Sequence, residues 1–293
     1  MTPAPEHAPV FAPEGHIRLG LIGDNITRSR SPDLHRIAGE LSGLDVGYEL
    51  FIPRDMGQDF DAVFETCRTG GVRGVNVTYP YKERVVEKVE VGDPLISAMG
   101  SVNTVVFESG RAFGHNTDYS GFVAAYRERF GEAAPGRVVM FGAGGVGKAV
   151  AFGLVALGAE ALVIVDHDAE KAQRLAEALR AGQADMAVSV EADGSAALRG
   201  ATGVINCTPL GMVGYPGSAV PTEALPGLTW AFDAVYTPVD TRFTRDAEAA
   251  GLSVLSGYEL FFHQGVQAFR IFTGLVPVDM EELRRRLAAA SVG

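Results

Sequence analysis

From about residue 16 onward, short apolar runs alternate with amphipathic stretches, the rhythm of an α/β chain. Ile17–Ile22 predicts a strand. Ser31–Leu41 predicts a helix that opens with a Ser cap and a Pro in its first turn. Tyr48–Ile52 and Gly74–Thr78 predict two further strands, with a helix over Met56–Cys67 between them. Pro80 is expected to start a helix that runs through Val89. Val102–Phe107 and Ala112–His115 flank Glu108-Ser-Gly-Arg111 and predict a hairpin. A helix over Tyr119–Phe130 then leads to Ala133-Ala-Pro-Gly136, a natural boundary between two compact units. Beyond it the alternation is stricter: strand Val138–Phe141, helix Lys148–Leu157, strand Ala161–Val165 and helix Ala169–Ala181. Strands Ala187–Val190, Gly203–Asn206 and Thr229–Asp233 follow, then helices over Glu259–Phe272 and Asp279–Ala289. Val138–Phe141 is apolar throughout, as a parallel strand buried on both faces should be.

Composition narrows the possible functions. The 293 residues are 47% hydrophobic and 21% charged, enough for a sizeable core and unlike a disordered chain. A net charge of −11 disfavours a nucleic-acid or anionic-membrane binder. The apolar stretch from Ala149 is broken by Glu160, too soon for a membrane span. The Pro- and Ala-rich segment from Met1 to Glu14 lacks the pattern of a signal peptide and reads as a disordered tail. Cys67 and Cys207 form no CxxC and have no metal-ligand spacing with a His. A reducing cytoplasm and the absence of a metal are therefore expected.

Two groups of residues carry candidate chemistry. Gly142-Ala-Gly-Gly-Val-Gly147 follows a strand and opens a helix, the context in which GxGxxG binds a dinucleotide. Gly142 permits the tight turn, Gly144 lets the backbone approach phosphates, and Gly147 lets helix and strand pack closely. Asp166 ends the next strand, where a carboxylate accepts bonds from the adenosine ribose and repels a 2′-phosphate. NAD is therefore expected over NADP, with Lys171 and Arg174 one turn further on as partial compensation. A simple helix-cap role for Asp166 is the alternative. The second group lies in the N-terminal half: Ser29 and Ser31 in one loop, Asn76 and Thr78 on one strand face, then Lys82, Asn103, Asn116 and Asp118. Polar side chains at strand ends suit a small ligand with several hydroxyls. The plainer readings are a solvated Lys82, an Asp118 that caps the following helix, and Asn103 and Asn116 satisfying turn backbones. His35 and His263 read as structural.

Together these segments resemble the shikimate dehydrogenase family. Gly74-Val-Asn-Val-Thr-Tyr-Pro-Tyr-Lys82 is similar to its GxNVTxPxK, Gly100–Thr104 to its GAxNT and Gly114–Asp118 to its GxNTD. Asn206–Met212 resembles NxTxxGM, Asp233 through Tyr236 to Thr241 resembles DxxYxPxxT, and Gly257–Gly274 resembles the C-terminal motif around Gln264. The resemblance implies an N-terminal α/β substrate domain and a Rossmann dinucleotide-binding domain, joined by a returning C-terminal helix. The expected boundaries are 16–118, 119–256 and 257–293, the last packing back on the substrate domain. It also implies interconversion of shikimate and 3-dehydroshikimate, with Lys82 and Asp118 as the catalytic pair. Ser29 and Ser31 would hold the carboxylate, and Asn76, Thr78, Asn103, Tyr236 and Gln264 would hold hydroxyls or complete the pocket. Gly142, Gly144, Gly145, Val146, Gly147, Asp166, Cys207, Thr208 and Leu260 would bind cofactor.

Three departures from the family pattern point to its NAD-using branches. Arg28 stands where His is common, Leu260 where Met is common, and Asp166-His-Asp168 where NADP enzymes carry Asn-Arg-Thr. Ser31, rather than Thr, speaks against a quinate specialist. The remaining alternatives are a quinate, aminoquinate or aminoshikimate dehydrogenase, and a non-catalytic sensor that the presence of both Lys82 and Asp118 opposes. The expected partner is a polyhydroxy cyclohexene or cyclohexane carboxylate, with no nucleic acid or membrane, acting on a cytoplasmic monomer or homodimer.

Overall fold

The computed structural model describes residues 15–182, 185–277 and 279–290, so the expected N-terminal tail lies almost wholly outside the described residues. Its elements begin with β1 (His16–Ile22), α1 (Ser31–Leu41), β2 (Asp45–Phe51), α2 (Phe60–Thr69), β3 (Gly74–Val77), α3 (Pro94–Met99), β4 (Thr104–Glu108) and β5 (Arg111–His115). They continue through α4 (Thr117–Phe130), β6 (Arg137–Phe141), α5 (Gly145–Ala156), β7 (Ala161–Val165), α6 (Ala169–Ala181), β8 (Ala187–Val190) and α7 (Gly194–Ala197). The chain closes with β9 (Gly203–Asn206), β10 (Trp230–Asp233), α8 (Arg242–Ala249), β11 (Ser253–Ser256), α9 (Gly257–Thr273) and α10 (Met280–Ala289). Two compact units result: one runs to Thr117 and resumes at Gly265, and the other spans Asp118–Gln264. The division falls inside α9.

The first unit holds a five-stranded sheet in the order β2-β1-β3-β4-β5. β2, β1 and β3 are parallel, and β4 and β5 add an antiparallel hairpin. Ser109 and Gly110 both adopt positive φ, 50° and 77°, as a tight two-residue hairpin turn requires. Antiparallel pairing sets Asn76 of β3 opposite Thr104 of β4, a register used by the site below. Phe60, Val63 and Phe64 of α2 pack with Val75, Val77 and Val105 of the sheet. Each phenylalanine contributes on the order of 2–3 kcal/mol by leaving water.

The second unit holds a six-stranded, all-parallel sheet in the order β11-β10-β9-β6-β7-β8. Counted from β6, this is the doubly wound order whose direction reverses between the first and fourth strands. The loops after β6 and β9 therefore part to opposite sides and leave a crevice at their carboxyl ends.

Several local expectations change. Ser31 is the first residue of α1 rather than its cap, and Arg30 in the cap position makes no side-chain capping bond. The helix expected from Met56 starts at Phe60, because Gly57 takes φ 63° and Asp59 caps the Ala62 amide. No α-helix runs from Pro80 to Val89; only a 3₁₀ turn forms at Arg84–Lys88. Tyr81 is held elsewhere, its ring stacked 4.6 Å from Phe60 and its hydroxyl donating to Asp24 at 2.8 Å. Lys82 consequently sits in a turn, where its carbonyl accepts the Val102 amide at 2.9 Å. α3, α7, α8 and β11 are all of eight residues or fewer, too short to show a clear period in the sequence.

Candidate active site

In the second unit, the glycine loop has the form a dinucleotide needs. Gly142 takes φ 99°, and a Cβ there would meet the Cys207 carbonyl carbon at 2.7 Å. A Cβ on Gly147 would run into the Gly142 carbonyl oxygen. Above Gly144 the nearest atom to such a carbon is Lys171 Nζ at 3.9 Å, so the middle glycine faces open space with an ammonium beside it. The helix after the loop starts at Gly145, with Gly144 at the cap position, earlier than the sequence pattern indicates. Its first amides, those of Gly145, Val146 and Gly147, have no acceptor within the helix, and such amides bind phosphate at a helix N-terminus.

Asp166 stands at the end of β7, with Oδ2 accepting the Ala143 amide at 2.7 Å and Oδ1 accepting the Asp168 amide at 2.9 Å. It does not cap α6. That role falls to Asp168, which accepts the Lys171 amide at 3.0 Å. The Asp166 carboxylate is thus aimed by backbone donors beside the glycine loop; His167 Nδ1 lies 3.1 Å from Oδ1, and Oδ2 keeps a lone pair for a ribose hydroxyl. Tight turn, open backbone above Gly144 and aimed carboxylate together fit a nicotinamide dinucleotide.

Across the crevice, Cys207 donates its amide to the Phe141 carbonyl at 2.7 Å, and Thr208 donates its hydroxyl to Asn206 Oδ1 at 2.7 Å. Burial pushes the Cys207 thiol well up, so this sulfur is no thiolate nucleophile. Beneath the loop lies Asp233, a carboxylate the sequence reading quoted only as part of a motif. It accepts Asn206 Nδ2 at 2.9 Å, the Val235 amide at 3.0 Å and the Thr241 hydroxyl at 2.5 Å. Desolvation raises its pKa despite these bonds. Asp233 thereby ties the loop after β9 to the segment bearing Tyr236 and to Thr241, the cap of α8. Tyr236 stacks on Phe261 at 4.9 Å, Leu260 is buried, and Gln264 Nε2 donates to the Phe261 carbonyl at 3.1 Å. Asp118 is buried in the first turn of α4, inside the helix rather than at its cap.

In the first unit, Ser29 donates its hydroxyl to Ser31 Oγ at 3.2 Å, placing the two hydroxyls side by side. The methyl of Thr78 packs over Gly23, where a Cβ would collide with it. Asn103 Oδ1 accepts the Thr117 amide at 2.7 Å and the hydroxyls of Thr104 and Thr117, each at 3.1 Å. A backbone amide can only donate, so the oxygen of Asn103 faces inward and Nδ2 is its remaining donor. Asn76 makes its bonds internally. Oδ1 accepts the Tyr48 hydroxyl at 2.8 Å, and Nδ2 donates to Thr104 Oγ1 at 3.0 Å. Asn116 donates to the Ser101 carbonyl at 2.9 Å, the backbone-satisfying role open to it from sequence. Lys82 belongs to this unit and Asp118 to the other.

Tyr48 is a site residue that the sequence pattern offers only as part of a strand, although it leaves a signal. It stands on the inward face of β2 with Val46, where a buried phenol needs a partner. His263, read as structural, pairs its Nε2 with Glu128 Oε2.

Comparison with known proteins gives a consistent picture. Residues 21–105 match the shikimate dehydrogenase substrate binding domain, and residues 138–210 match the saccharopine dehydrogenase NADP binding domain. The quinate/shikimate dehydrogenase (NAD+) of Corynebacterium efficiens is 40% identical over 274 residues, covering 92% of this chain and 96% of that protein. The shikimate dehydrogenase (NADP+) of Pseudarthrobacter chlorophenolicus is 40% identical over 271 residues, covering 91% and 92%. The solved structure of quinate dehydrogenase from Corynebacterium glutamicum in complex with NAD superposes with a TM-score of 0.86, at 36% identity, covering 94% of this chain and all of that one.

Proposed function

The chain belongs to the shikimate dehydrogenase family, and from that premise we propose that it interconverts shikimate and 3-dehydroshikimate with NAD as the preferred cofactor. The observation that carries the reading is kinship over more than nine-tenths of the chain, with Lys82 and Asp118 both present in the matched motifs. A nicotinamide dinucleotide held by the Gly142–Gly147 loop and Asp166 would supply the acceptor for the hydride that leaves the alcohol carbon. The chain's own residues handle the proton. Lys82 Nζ and the Asp118 carboxylate take it from the hydroxyl as the ketone forms and return it in the reverse direction.

Ser29 and Ser31 donate to the substrate carboxylate, and charge-assisted bonds of this kind are the stronger ones. Asn103 offers its Nδ2 to a ring hydroxyl, while Thr78, Tyr236 and Gln264 complete the pocket. Asn76, whose amide is engaged internally, forms its wall. NAD preference is supported by Asp166, since a 2′-phosphate would bring like charges together. The acid–base pair opposes a purely sensing role. We place the enzyme in the cytoplasm as a monomer or homodimer; among the described residues no helix is long and apolar enough to cross a membrane.

Quinate is the second reading, favoured by the likeness to the quinate dehydrogenase structure. Steady-state assays crossing shikimate and quinate with NAD and NADP test both. The expected result is the highest kcat/KM for shikimate with NAD. A higher value for quinate would transfer the assignment, and no turnover of either substrate would overturn it.

A further inference from the structure

Asn206 ends β9 and Asp233 ends β10, opposite each other in the parallel register, and both are buried. Asn206 Nδ2 donates to Asp233 Oδ1 at 2.9 Å and to the Leu210 carbonyl at 3.1 Å. Its Oδ1 points the other way and accepts the Thr208 hydroxyl at 2.7 Å and the Thr208 amide at 3.1 Å. A carboxylate oxygen accepts and a backbone amide only donates, so the two ends of the side chain fix one orientation independently. The Thr208 hydroxyl in turn accepts the Leu210 amide at 3.2 Å. Apart from its tie to Asp233, Asn206 therefore directs its bonds to the turn that follows it.

That turn meets the glycine loop. A Cβ on Gly142 would lie 2.7 Å from the Cys207 carbonyl carbon and 2.9 Å from the Thr208 nitrogen, and one on Gly147 would lie 3.6 Å from Cys207 Cβ. Steric contact stops the turn from moving towards the loop. Cys207 is tied to β6 through the Phe141 carbonyl, but Thr208 and Leu210 lie past the strand and are held through Asn206.

We propose that Asn206, oriented by Asp233, is a positioning residue for the cofactor pocket: it folds the turn from Cys207 to Leu210 into a fixed wall beside the glycine loop. The inference rests on the reading of Cys207 and Thr208 as cofactor contacts.

The test compares Asn206→Leu and Thr208→Val with the unmodified enzyme, using shikimate and NAD. Leu keeps the size of the side chain and removes all its bonds, whereas Val removes the hydroxyl and leaves the Thr208 amide bonded to Asn206. Apparent affinity falls with the fraction of molecules whose turn is in place. Asn206→Leu is expected to raise KM for NAD about tenfold and Thr208→Val about threefold, with KM for shikimate within about twofold in each. Thermal melts establish that the variants are folded, and Thr208→Val carries the comparison if Asn206→Leu is not. Hydrogen exchange on the peptide spanning 206–212 of the unmodified enzyme, with and without NAD, checks the underlying reading, and NAD should slow it. Slowed exchange beside an unmoved KM for NAD in the folded variants, or equal rises in both KM values, would overturn the positioning role alone. Exchange indifferent to NAD would remove Cys207 and Thr208 from the cofactor pocket, and the inference with them.

Discussion

Replacing Asp166 with Asn keeps the shape of the side chain and removes its charge, and two consequences follow in opposite senses. The native carboxylate serves two backbone donors, Ala143 at 2.7 Å and Asp168 at 2.9 Å. Asparagine offers one oxygen to those two amides, so one N–H is left facing an NH₂ group. The Ala143 bond is part-buried and the Asp168 bond exposed, so the lost partner costs towards the lower end of about 1–3 kcal/mol, and the variant should lose stability by that amount. Cofactor choice moves the other way. Two like unit charges at about 4 Å repel by about 4 kcal/mol at an effective dielectric near 20. Lys171 Nζ near Gly144 offsets part of this, and the 99% exposed His167 shows water reaching the loop's edge. If about 2.7 kcal/mol survives, the native enzyme favours NAD over NADP by about a hundredfold in kcat/KM. Asp166→Asn should bring that ratio to within about tenfold of unity by the same conversion. Steady-state kinetics with both cofactors and a urea melt measure the two effects. Equal use of NAD and NADP by the unmodified enzyme would refute the electrostatic reasoning. A variant as stable as its parent would refute the two-amide account.

Lys82→Ala should lower kcat by at least about a hundredfold with KM within about tenfold, as loss of an acid–base group does; an unchanged kcat would take Lys82 out of the mechanism. Removing both hydroxyls in Ser29→Ala/Ser31→Ala should raise KM for shikimate more than KM for NAD, at about 1–3 kcal/mol per charge-assisted bond. A change in KM for NAD alone would detach this loop from the substrate. Asp233 has its pKa raised by desolvation, so the folded state holds the proton more tightly than the unfolded chain. Its stabilising contribution is complete below the ordinary carboxylate pKa of about 4 and is lost as pH rises through the elevated value. Urea midpoints of the unmodified enzyme should therefore fall, relative to Asp233→Asn, from about pH 4 towards neutrality. Parallel pH curves for the two proteins would contradict that sign.

The second unit was the more legible in the sequence. β6, β7 and β9 are apolar runs because a parallel sheet covered on both faces admits little else, and α6, β7, β8 and β9 fall within the bounds the pattern predicts. The glycine loop was readable for a related reason: each of its glycines answers a local steric demand, and those demands fix their spacing. What stayed hidden depends on neighbours far along the chain. A helix after Pro80 is a sound local reading, but Phe60 and Asp24 capture Tyr81 and hold that segment as a turn. Asp166 and Asp168 are equally good caps by residue type, and only the path of the chain gives the cap to Asp168 and aims Asp166 at Ala143. The sequence could name Asn76 and Asn103 as candidates, yet not the direction in which their amides point. That direction follows from the register setting Asn76 against Thr104, from the Thr117 amide and from Tyr48 on another strand. Periodicity reports which face of an element is buried. Hydrogen-bond partners are chosen by strand order and register, which exist only once distant segments have met.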